Sequence, residues 1–192
     1  MHIVFYGPEG SGKGTQAKLL SEKLKLPILG SGDLVRYAAT NDKGLIGDIC
    51  RKALLEGKYV ADSEMYVLWK NRLKKSDAKK GWIMDGFPRN VTQAGFLDEK
   101  LDKYGYKVEY VIFLKISEEE SMKRLVDRKR EAFAGSNINH DAPEKVKERL
   151  KRYYLGESDV LNFYKQKGIL IEINGEQSVE KVYEDIVKAI CK

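Results

Sequence analysis

The sequence predicts an α/β fold in which a doubly wound, five-stranded parallel sheet is flanked by helices. Short runs rich in β-branched and aromatic residues alternate with longer segments whose apolar residues recur at helical spacing. Strands separated by helices form right-handed βαβ crossovers, which make the strands parallel and cover both faces of the sheet. The predicted strands are residues 2–6, 26–29, 82–84, 108–116 and 169–173.

Each predicted strand ends at a glycine, an aspartate or a polar turn residue. These residues are Gly7, Gly30, Asp85, Ser117 and Gly175. Open parallel sheets bind their ligands outside the carboxyl ends of the strands, which meet at one edge. We therefore expect the functional site at that edge.

Two segments are predicted to be insertions in a single domain of 192 residues. The first, about residues 31–70, is rich in helical pattern and contains the helix breakers Asn41, Gly44 and Gly57. The second, about residues 129–143, is polar and poorly periodic. The predicted core consists of residues 1–30, 71–128 and 144–192, and either insertion could move as a flap.

Composition narrows the class of protein. No apolar run approaches the roughly 18 residues that span a membrane, and the stretch at residues 3–6 is too short for a signal peptide, so we expect a cytoplasmic protein. Cys50 and Cys191 form no Cys-x-x-Cys pair, and His2 and His140 lack the spacing of metal ligands, so no zinc site is predicted. The net charge of +6 favours anionic partners without choosing among them.

Residues 7–15, Gly-Pro-Glu-Gly-Ser-Gly-Lys-Gly-Thr, follow a predicted strand and lead into a predicted helix. Their glycines allow backbone N–H groups to surround phosphate oxygens, and the helix N-terminus adds partial positive charge. A glycine-rich turn with an incidental lysine is the alternative, but the context and the spacing argue against it. The residues predicted to bind a polyphosphate are Gly10, Ser11, Gly12, Lys13, Gly14 and Thr15.

This segment, with its Gly-Lys-Gly-Thr form followed by Gln16, resembles the nucleoside monophosphate kinases. Residues 30–36, residues 57–60 and residues 85–89 with Gln93 match further segments of that family in the same order. The resemblance covers essentially the whole chain and is to adenylate kinases with a short lid and no zinc. It implies a P-loop fold and reversible phosphoryl transfer from ATP to AMP, yielding two ADP, with Mg²⁺ as cofactor.

The acceptor site implied by the resemblance agrees with the chemistry of its residues. Arg36 and Arg89 carry planar, permanently charged groups suited to bidentate binding of a monophosphate, although each could instead form a surface ion pair. The amide of Gln93 can donate to and accept from an adenine edge, and Ser31 keeps a hydroxyl where adenylate kinases have threonine. The predicted AMP-binding residues are Ser31, Arg36, Lys58, Tyr59, Val60, Gly86, Arg89 and Gln93.

The donor side is predicted from residues on three other segments. Asp85 is expected to hold Mg²⁺ through water, and an Asx-turn cap is the alternative. Arg124 and Arg128, at i and i+4 on one predicted helical face, and Arg149 on the next helix resemble the arginines that flank the lid, one stacking on the ATP base and the others neutralising the transferred group. Their alternative is a solvated basic face. Gly175 is expected against the donor base, or is simply a turn glycine. The predicted catalytic residues are Lys13, Arg89, Arg128 and Arg149.

The lid departs from the family pattern. Short-lid relatives carry Gly-Arg before Asp-Asp, whereas residues 137–141 here read Asn-Ile-Asn-His-Asp. An arginine at the transferred group can be worth about 10³-fold in rate. We hypothesise that Arg130 supplies this charge, so that Arg130→Ala lowers turnover far more than Lys129→Ala; equal and small effects on turnover would contradict the hypothesis.

Other functions stay open from the sequence. Asn90 is typical of uridylate and cytidylate kinases of the same family, whereas Ser31 and Gln93 favour adenine. A non-catalytic nucleotide-binding or RNA-binding protein is the second alternative, although no RNA-binding signature supports it. A generic ATPase or GTPase would need a residue placed to activate water, and no candidate stands out. We expect a monomer whose partners are ATP, AMP and ADP, with neither nucleic acid nor a membrane as partner.

Overall fold

The computed structural model describes residues 1–128 and 142–191. Its sheet is entirely parallel, with the strand order β2-β3-β1-β4-β5. The strands are β1 His2–Tyr6, β2 Ile28–Gly30, β3 Trp82–Asp85, β4 Tyr110–Lys115 and β5 Leu170–Asn174. The helices are α1 Lys13–Leu24, α2 Ser31–Asn41, α3 Leu45–Glu56, α4 Asp62–Leu73, α5 Val91–Lys103, α6 Glu118–Asp127, α7 Pro143–Gln166 and α8 Val179–Ile190, with a 3₁₀ turn at Ser76–Lys80.

Alternate residues of β1 point into two different hydrophobic layers. Val4 and Tyr6 belong to a large cluster built with α4, α5 and α7. Ile3 and Phe5 belong to a second cluster built with α1 and α8. Because both faces of the central strand are buried, β1 is a continuous apolar run without alternation of polar residues. The predicted five-stranded, doubly wound sheet is thus confirmed.

The helix breakers predicted between residues 31 and 70 act where the structure needs them. Helix α2 ends at Asn41, Gly44 precedes α3, and Gly57 ends α3 with a φ of 66°, in the left-handed region that suits glycine. Helix α4 continues to Leu73, which is fully buried together with Trp69. The last turn of α4 therefore packs in the main core, three residues beyond the predicted boundary.

Arg124 lies on α6, and Arg128, which was predicted to share its helical face, lies one residue beyond the end of that helix. Helix α6 ends at Asp127, and Arg128 caps it with a ψ of 112°, which is extended backbone. Helix α7 begins at Pro143, where proline is favoured because the first helical N–H has no intrahelical partner. The predicted lid lies almost entirely outside the described residues, and so does Arg130, whose role stays a prediction.

No helix in the described part of the chain is both long enough and apolar enough to cross a membrane.

The buried imidazole of His2 predicts a pH dependence of stability. His2 Nε2 lies 3.1 Å from the carbonyl oxygen of Ala78, and the ring stacks on Tyr106 with 4.5 Å between centroids. Burial lowers the pKa of His2 below its ordinary value of 6.5 more strongly than Ala78 and Glu109 raise it. The unfolded chain then binds the proton more readily, so stability falls as the pH drops through 6.5.

Urea unfolding at about pH 7.5 and about pH 5.5 checks this expectation, because the free energy of unfolding should be smaller at the lower pH. The loss should shrink in His2→Gln, whose amide can still reach Ala78 but does not titrate. An equal loss in the variant and the natural protein would contradict the assignment to His2.

Candidate active site

The P-loop, residues 7–15, curls from the end of β1 into α1. Gly10 and Gly12 have φ angles of 87° and 89°, which favour glycine. Lys13 Nζ lies inside the curl and donates to the carbonyl oxygens of Gly7 at 2.8 Å and Pro8 at 2.7 Å. Burial lowers the pKa of Lys13, while the charges of Asp85 and Glu9 raise it in part. The loop therefore gathers backbone N–H groups and one ammonium group around a small space.

Asp85 ends β3 and faces the P-loop from the neighbouring strand. A Cβ atom built at Gly14 would lie 3.7 Å from Asp85 Oδ2. The carboxylate of Asp85 therefore lies beside the P-loop, at a position where the loop carries no side chain. Thr15, one residue on, is exposed. Mg²⁺ in phosphotransferases binds one or two hard protein oxygens together with phosphate oxygens and water, and the carboxylate of Asp85 fits that description. Within residues 1–128 and 142–191, no group of three or more His, Cys, Asp or Glu side chains could hold a metal ion.

Arg124 joins the P-loop to the turn after β5. Its Nη1 donates to the carbonyl oxygens of Gly175 at 3.0 Å and Gly10 at 3.4 Å, and its Nε donates to Glu120 Oε1 at 2.6 Å. These three acceptors hold the guanidinium group in one orientation. Three residues predicted on the ATP side are thus brought together.

Close packing explains the glycine at position 175. A Cβ atom there would lie 2.9 Å from Ile116 Cγ2 and 3.4 Å from the carbonyl oxygen of Ser11. The backbone after β5 therefore approaches the P-loop more closely than a larger residue would allow. Gly175 does more than form a turn.

Glu9 connects the P-loop to two distant segments. Its Oε1 accepts a hydrogen bond of 2.6 Å from the hydroxyl of Tyr59, and its Oε2 lies 3.1 Å from Arg149 Nη2. Burial raises the pKa of Glu9, but Arg149, Tyr59 and Lys13 outweigh it and hold the pKa below its usual value. Glu9 is therefore a carboxylate that links α7 and the α3–α4 connection to the phosphate-binding loop.

Arg89 lies on the other side of Tyr59. Its Cζ is 4.0 Å from the centre of the Tyr59 ring, a cation–π contact, and its Nε donates to the carbonyl oxygen of Gly86 at 3.0 Å. The hydroxyl of Ser31 donates to the same carbonyl at 2.9 Å. Burial, with the charge of Glu9, raises the pKa of Tyr59 to about 12. Four residues predicted on the AMP side therefore form one connected cluster.

Gln93 is 4% exposed and hydrogen-bonded on both sides of its amide. Its Oε1 accepts from the backbone N–H of Arg89 at 2.7 Å, and its Nε2 donates to Asp62 Oδ1 at 2.6 Å. Asn90 caps α5 by accepting from the N–H of Gln93 at 2.8 Å, and it donates to Asp62 Oδ2 at 3.0 Å. This capping role gives a structural reason for an asparagine at position 90, the residue that in the sequence favoured a pyrimidine substrate.

Two predicted AMP-binding side chains make their described contacts outside this cluster. Arg36 Nη2 pairs with Asp33 Oδ1 at 2.7 Å, and Lys58 Nζ pairs with Glu56 Oε2 at 2.9 Å. Val60, which was also predicted to bind AMP, is buried in the core. Exposed ion pairs contribute little free energy, so Arg36 and Lys58 can exchange their partners for a ligand at small cost.

Arg128 precedes the predicted lid in the sequence and Arg149 follows it, and both lie near the P-loop. Arg149 is mostly buried against Glu9. Arg128 is exposed, and its charge contributes, after burial, to lowering the pKa of Lys13. Both guanidinium groups therefore add positive charge near the phosphate-binding loop.

Comparisons with known proteins agree with this geometry. The family model for adenylate kinase matches residues 5–169. Adenylate kinase 1 of Nostoc sp. is 37% identical over 184 residues, which cover 96% of this chain and 95% of the relative. The adenylate kinase of Xanthomonas euvesicatoria is 36% identical over 192 residues, 99% of each chain, and that of Fusobacterium nucleatum is 34% identical over 209 residues, 99% of this chain and 98% of the relative.

The chain belongs to the adenylate kinase family.

Family membership confirms the predicted resemblance, the predicted P-loop α/β fold and the predicted enzyme class, a nucleotide-binding transferase. It also supports the predicted phosphoryl transfer between ATP and AMP. The roles of the individual site residues stay predictions.

Glu9 and Asp62 contact the predicted site residues in the structure, and the sequence did not indicate either of them. A glutamate in a glycine-rich loop is typical of a solvated turn, and an aspartate in the first turn of a helix is explained by the helix dipole. Neither pattern identifies a partner far away in sequence. The only available signal was the charge of Glu9 within a loop predicted to bind anions.

Because Glu9 places negative charge beside the predicted phosphate site, Glu9→Gln is expected to tighten ATP binding about three- to tenfold. Glutamine keeps the size of the side chain and can still accept from Tyr59 while it removes the negative charge beside the loop. Titration calorimetry with ATP measures the dissociation constant. Glu148→Gln, which removes a carboxylate paired with Arg152 on the same helix, should leave it unchanged.

Unchanged or weaker ATP binding in Glu9→Gln would show that Glu9 does not oppose phosphate.

Proposed function

We propose that this member of the adenylate kinase family catalyses ATP + AMP = 2 ADP with Mg²⁺, through the residues assembled at the carboxyl edge of its sheet. One observation carries the assignment of roles: Tyr59 touches Glu9 of the P-loop with its hydroxyl and Arg89 with its ring. The predicted donor and acceptor phosphate sites are therefore neighbours, as direct transfer requires.

The donor site consists of the P-loop and the residues packed on it. The N–H groups of Gly10 to Thr15 and the ammonium group of Lys13 would bind the phosphates of ATP. Arg124, held by Gly10 and Gly175, presents a flat guanidinium face on which a base can stack. Asp85 would hold Mg²⁺ through water, and the ion would supply positive charge that neutralises the phosphates.

The acceptor site lies around Gly86. Arg89 is fixed through its Nε, which leaves its Nη atoms to form a bidentate pair with the phosphate of AMP. Arg36 would also bind the phosphate of AMP after releasing its ion pair with Asp33. Ser31, Tyr59, Val60 and Gly86 line the space for the nucleoside, with Lys58 at its exposed rim, and Gln93 reads the edge of the base.

Transfer requires positioning and charge stabilisation more than covalent chemistry, so no general base is assigned. Lys13 and Arg89 hold the two phosphate groups in place. Arg128 and Arg149, which flank the predicted lid in the sequence, would stabilise the negative charge on the transferred group. We propose that the insertion at about residues 31–70 closes over the nucleotides and excludes water, which would otherwise hydrolyse ATP. The second predicted insertion, at about residues 129–143, lies almost entirely outside the described residues. The monomeric state, the cytoplasmic location and the lack of nucleic-acid partners stay predictions from the sequence.

An acceptor panel tests the proposed function. The protein is mixed with ATP and Mg²⁺ and with AMP, CMP, UMP or GMP separately, and diphosphate formation is followed by chromatography. Rapid ADP formation with AMP alone is expected. A preference for CMP or UMP would keep the fold and the phosphate-binding arginines but overturn the adenine assignment of Ser31 and Gln93, whereas no transfer to any acceptor would favour a nucleotide-binding module.

A further inference from the structure

The side chain of Gln93 is buried, and the two halves of its amide are bound by groups of opposite character. Asp62 at the start of α4 accepts from Nε2, and the backbone N–H of Arg89 donates to Oε1. A carboxylate can only accept and a backbone N–H can only donate. Rotating the amide by half a turn would set oxygen against carboxylate and N–H against N–H. Asp62 and Arg89 therefore permit one orientation of the Gln93 amide.

Asp62 is itself held in place on its second oxygen. Asn90 donates to Oδ2 at 3.0 Å, and its own Oδ1 is committed to the N-terminus of α5 through the N–H of Gln93. The carboxylate cannot rotate away without losing a donor on each oxygen. Asp62, on a different helix from Gln93, is thus a fixed support for the amide.

Once these bonds are formed, Gln93 retains one N–H and one lone pair on Oε1 for a ligand. Adenine offers, in a set order, a donor at its 6-amino group and an acceptor at N1. Hypoxanthine offers the reverse, an acceptor at O6 and a donor at N1. An amide fixed in one orientation matches only one of these two orders.

We propose that Asp62 is a specificity-determining positioning residue, which holds the Gln93 amide in the orientation that reads a 6-aminopurine and rejects a 6-oxopurine. The inference rests on the proposed function, in which Gln93 meets the acceptor base. A site that pairs every polar group of the right base rejects the wrong one because its buried groups are left unpaired. Without Asp62 the amide can turn, and that penalty decreases.

The test compares AMP with IMP as acceptors, because IMP differs at the 6-position without adding an amino group at position 2. In Asp62→Ala one support is gone. In Asp62→Asn a single oxygen must serve two donors, Asn90 and Gln93, so the support is weakened with little change of volume. In both variants the ratio of kcat/KM for AMP to kcat/KM for IMP should fall at least about tenfold.

Glu64→Gln is the matched control, because Glu64 is the other acidic residue in the first turn of α4 and its described hydrogen bond is to Ser63. Its AMP-to-IMP ratio should equal that of the natural protein. Thermal unfolding of all variants shows whether they are folded, and the ratio does not depend on the fraction of active protein.

A parallel loss of activity with both acceptors would show that Asp62 is merely structural, and an unchanged ratio would show that it does not orient Gln93. Either result overturns the inference. Failure of the proposed function is distinguishable, since the natural protein would then form no ADP from AMP. The inference alone fails when the natural protein prefers AMP and the Asp62 variants prefer it equally.

Discussion

Replacing Arg89 with alanine is expected to lower kcat/KM for AMP by about 10³-fold, a loss comparable to that of removing an arginine at a site of phosphoryl transfer. Arg89 is exposed at the carboxyl edge of the sheet, and its Nε is fixed by Gly86. The centre of the Tyr59 ring lies 4.0 Å from Arg89 Cζ and further restricts the orientation of the guanidinium group. Alanine removes both the positive charge and the two oriented N–H donors that would bind the phosphate. Steady-state kinetics with AMP varied at saturating ATP measures the loss.

Arg89→Lys separates charge from geometry. Lysine keeps one positive charge but cannot bond Gly86 and grip a phosphate with two parallel hydrogen bonds, so we expect an intermediate loss of about 10- to 100-fold. Arg152→Ala removes an exposed arginine paired with Glu148 on α7 and should leave the kinetics unchanged. A loss below about tenfold in Arg89→Ala would remove Arg89 from the acceptor site.

Lys13→Met is expected to reduce kcat by about 10²- to 10³-fold, the usual cost of removing one preorganised donor at a developing charge. Lys13 Nζ lies within 2.8 Å of two loop carbonyl oxygens, so its ammonium group is held where the predicted phosphate site is. Methionine has a similar length without the charge. Single-turnover measurements with saturating ATP and AMP separate the chemical step from binding.

The control for this variant is Lys18→Met on the exposed side of α1, which should keep full activity. Thermal unfolding shows whether the Lys13 variant is folded. If folded Lys13→Met turned over at a rate close to that of the natural protein, phosphate stabilisation in this family member would have to come from backbone N–H groups and arginines instead.

The fold and the P-loop could be predicted because their signals are local. Strand runs, helix breakers and a glycine spacing that needs left-handed backbone at Gly10 and Gly12 are all contained within short segments. Each segment that resembles the kinase family is also local information, since each match is contained within a few residues. Local reasoning placed the end of α6 too late by at least one residue, because its end at Asp127 depends on backbone geometry that helical periodicity does not contain.

The sequence by itself determined the α/β class and predicted the edge of the sheet for the site and the lysine and arginines proposed to bind phosphate. Only the tertiary structure decided which side chains support them. Glu9 meets Tyr59 across 50 residues, and Asp62 meets Gln93 across 31. Such contacts depend on how the α3–α4 segment packs against the sheet edge. The physical reason is that a hydrogen bond between side chains requires a match within a few tenths of an ångström, and periodicity predicts only which face of a helix is buried.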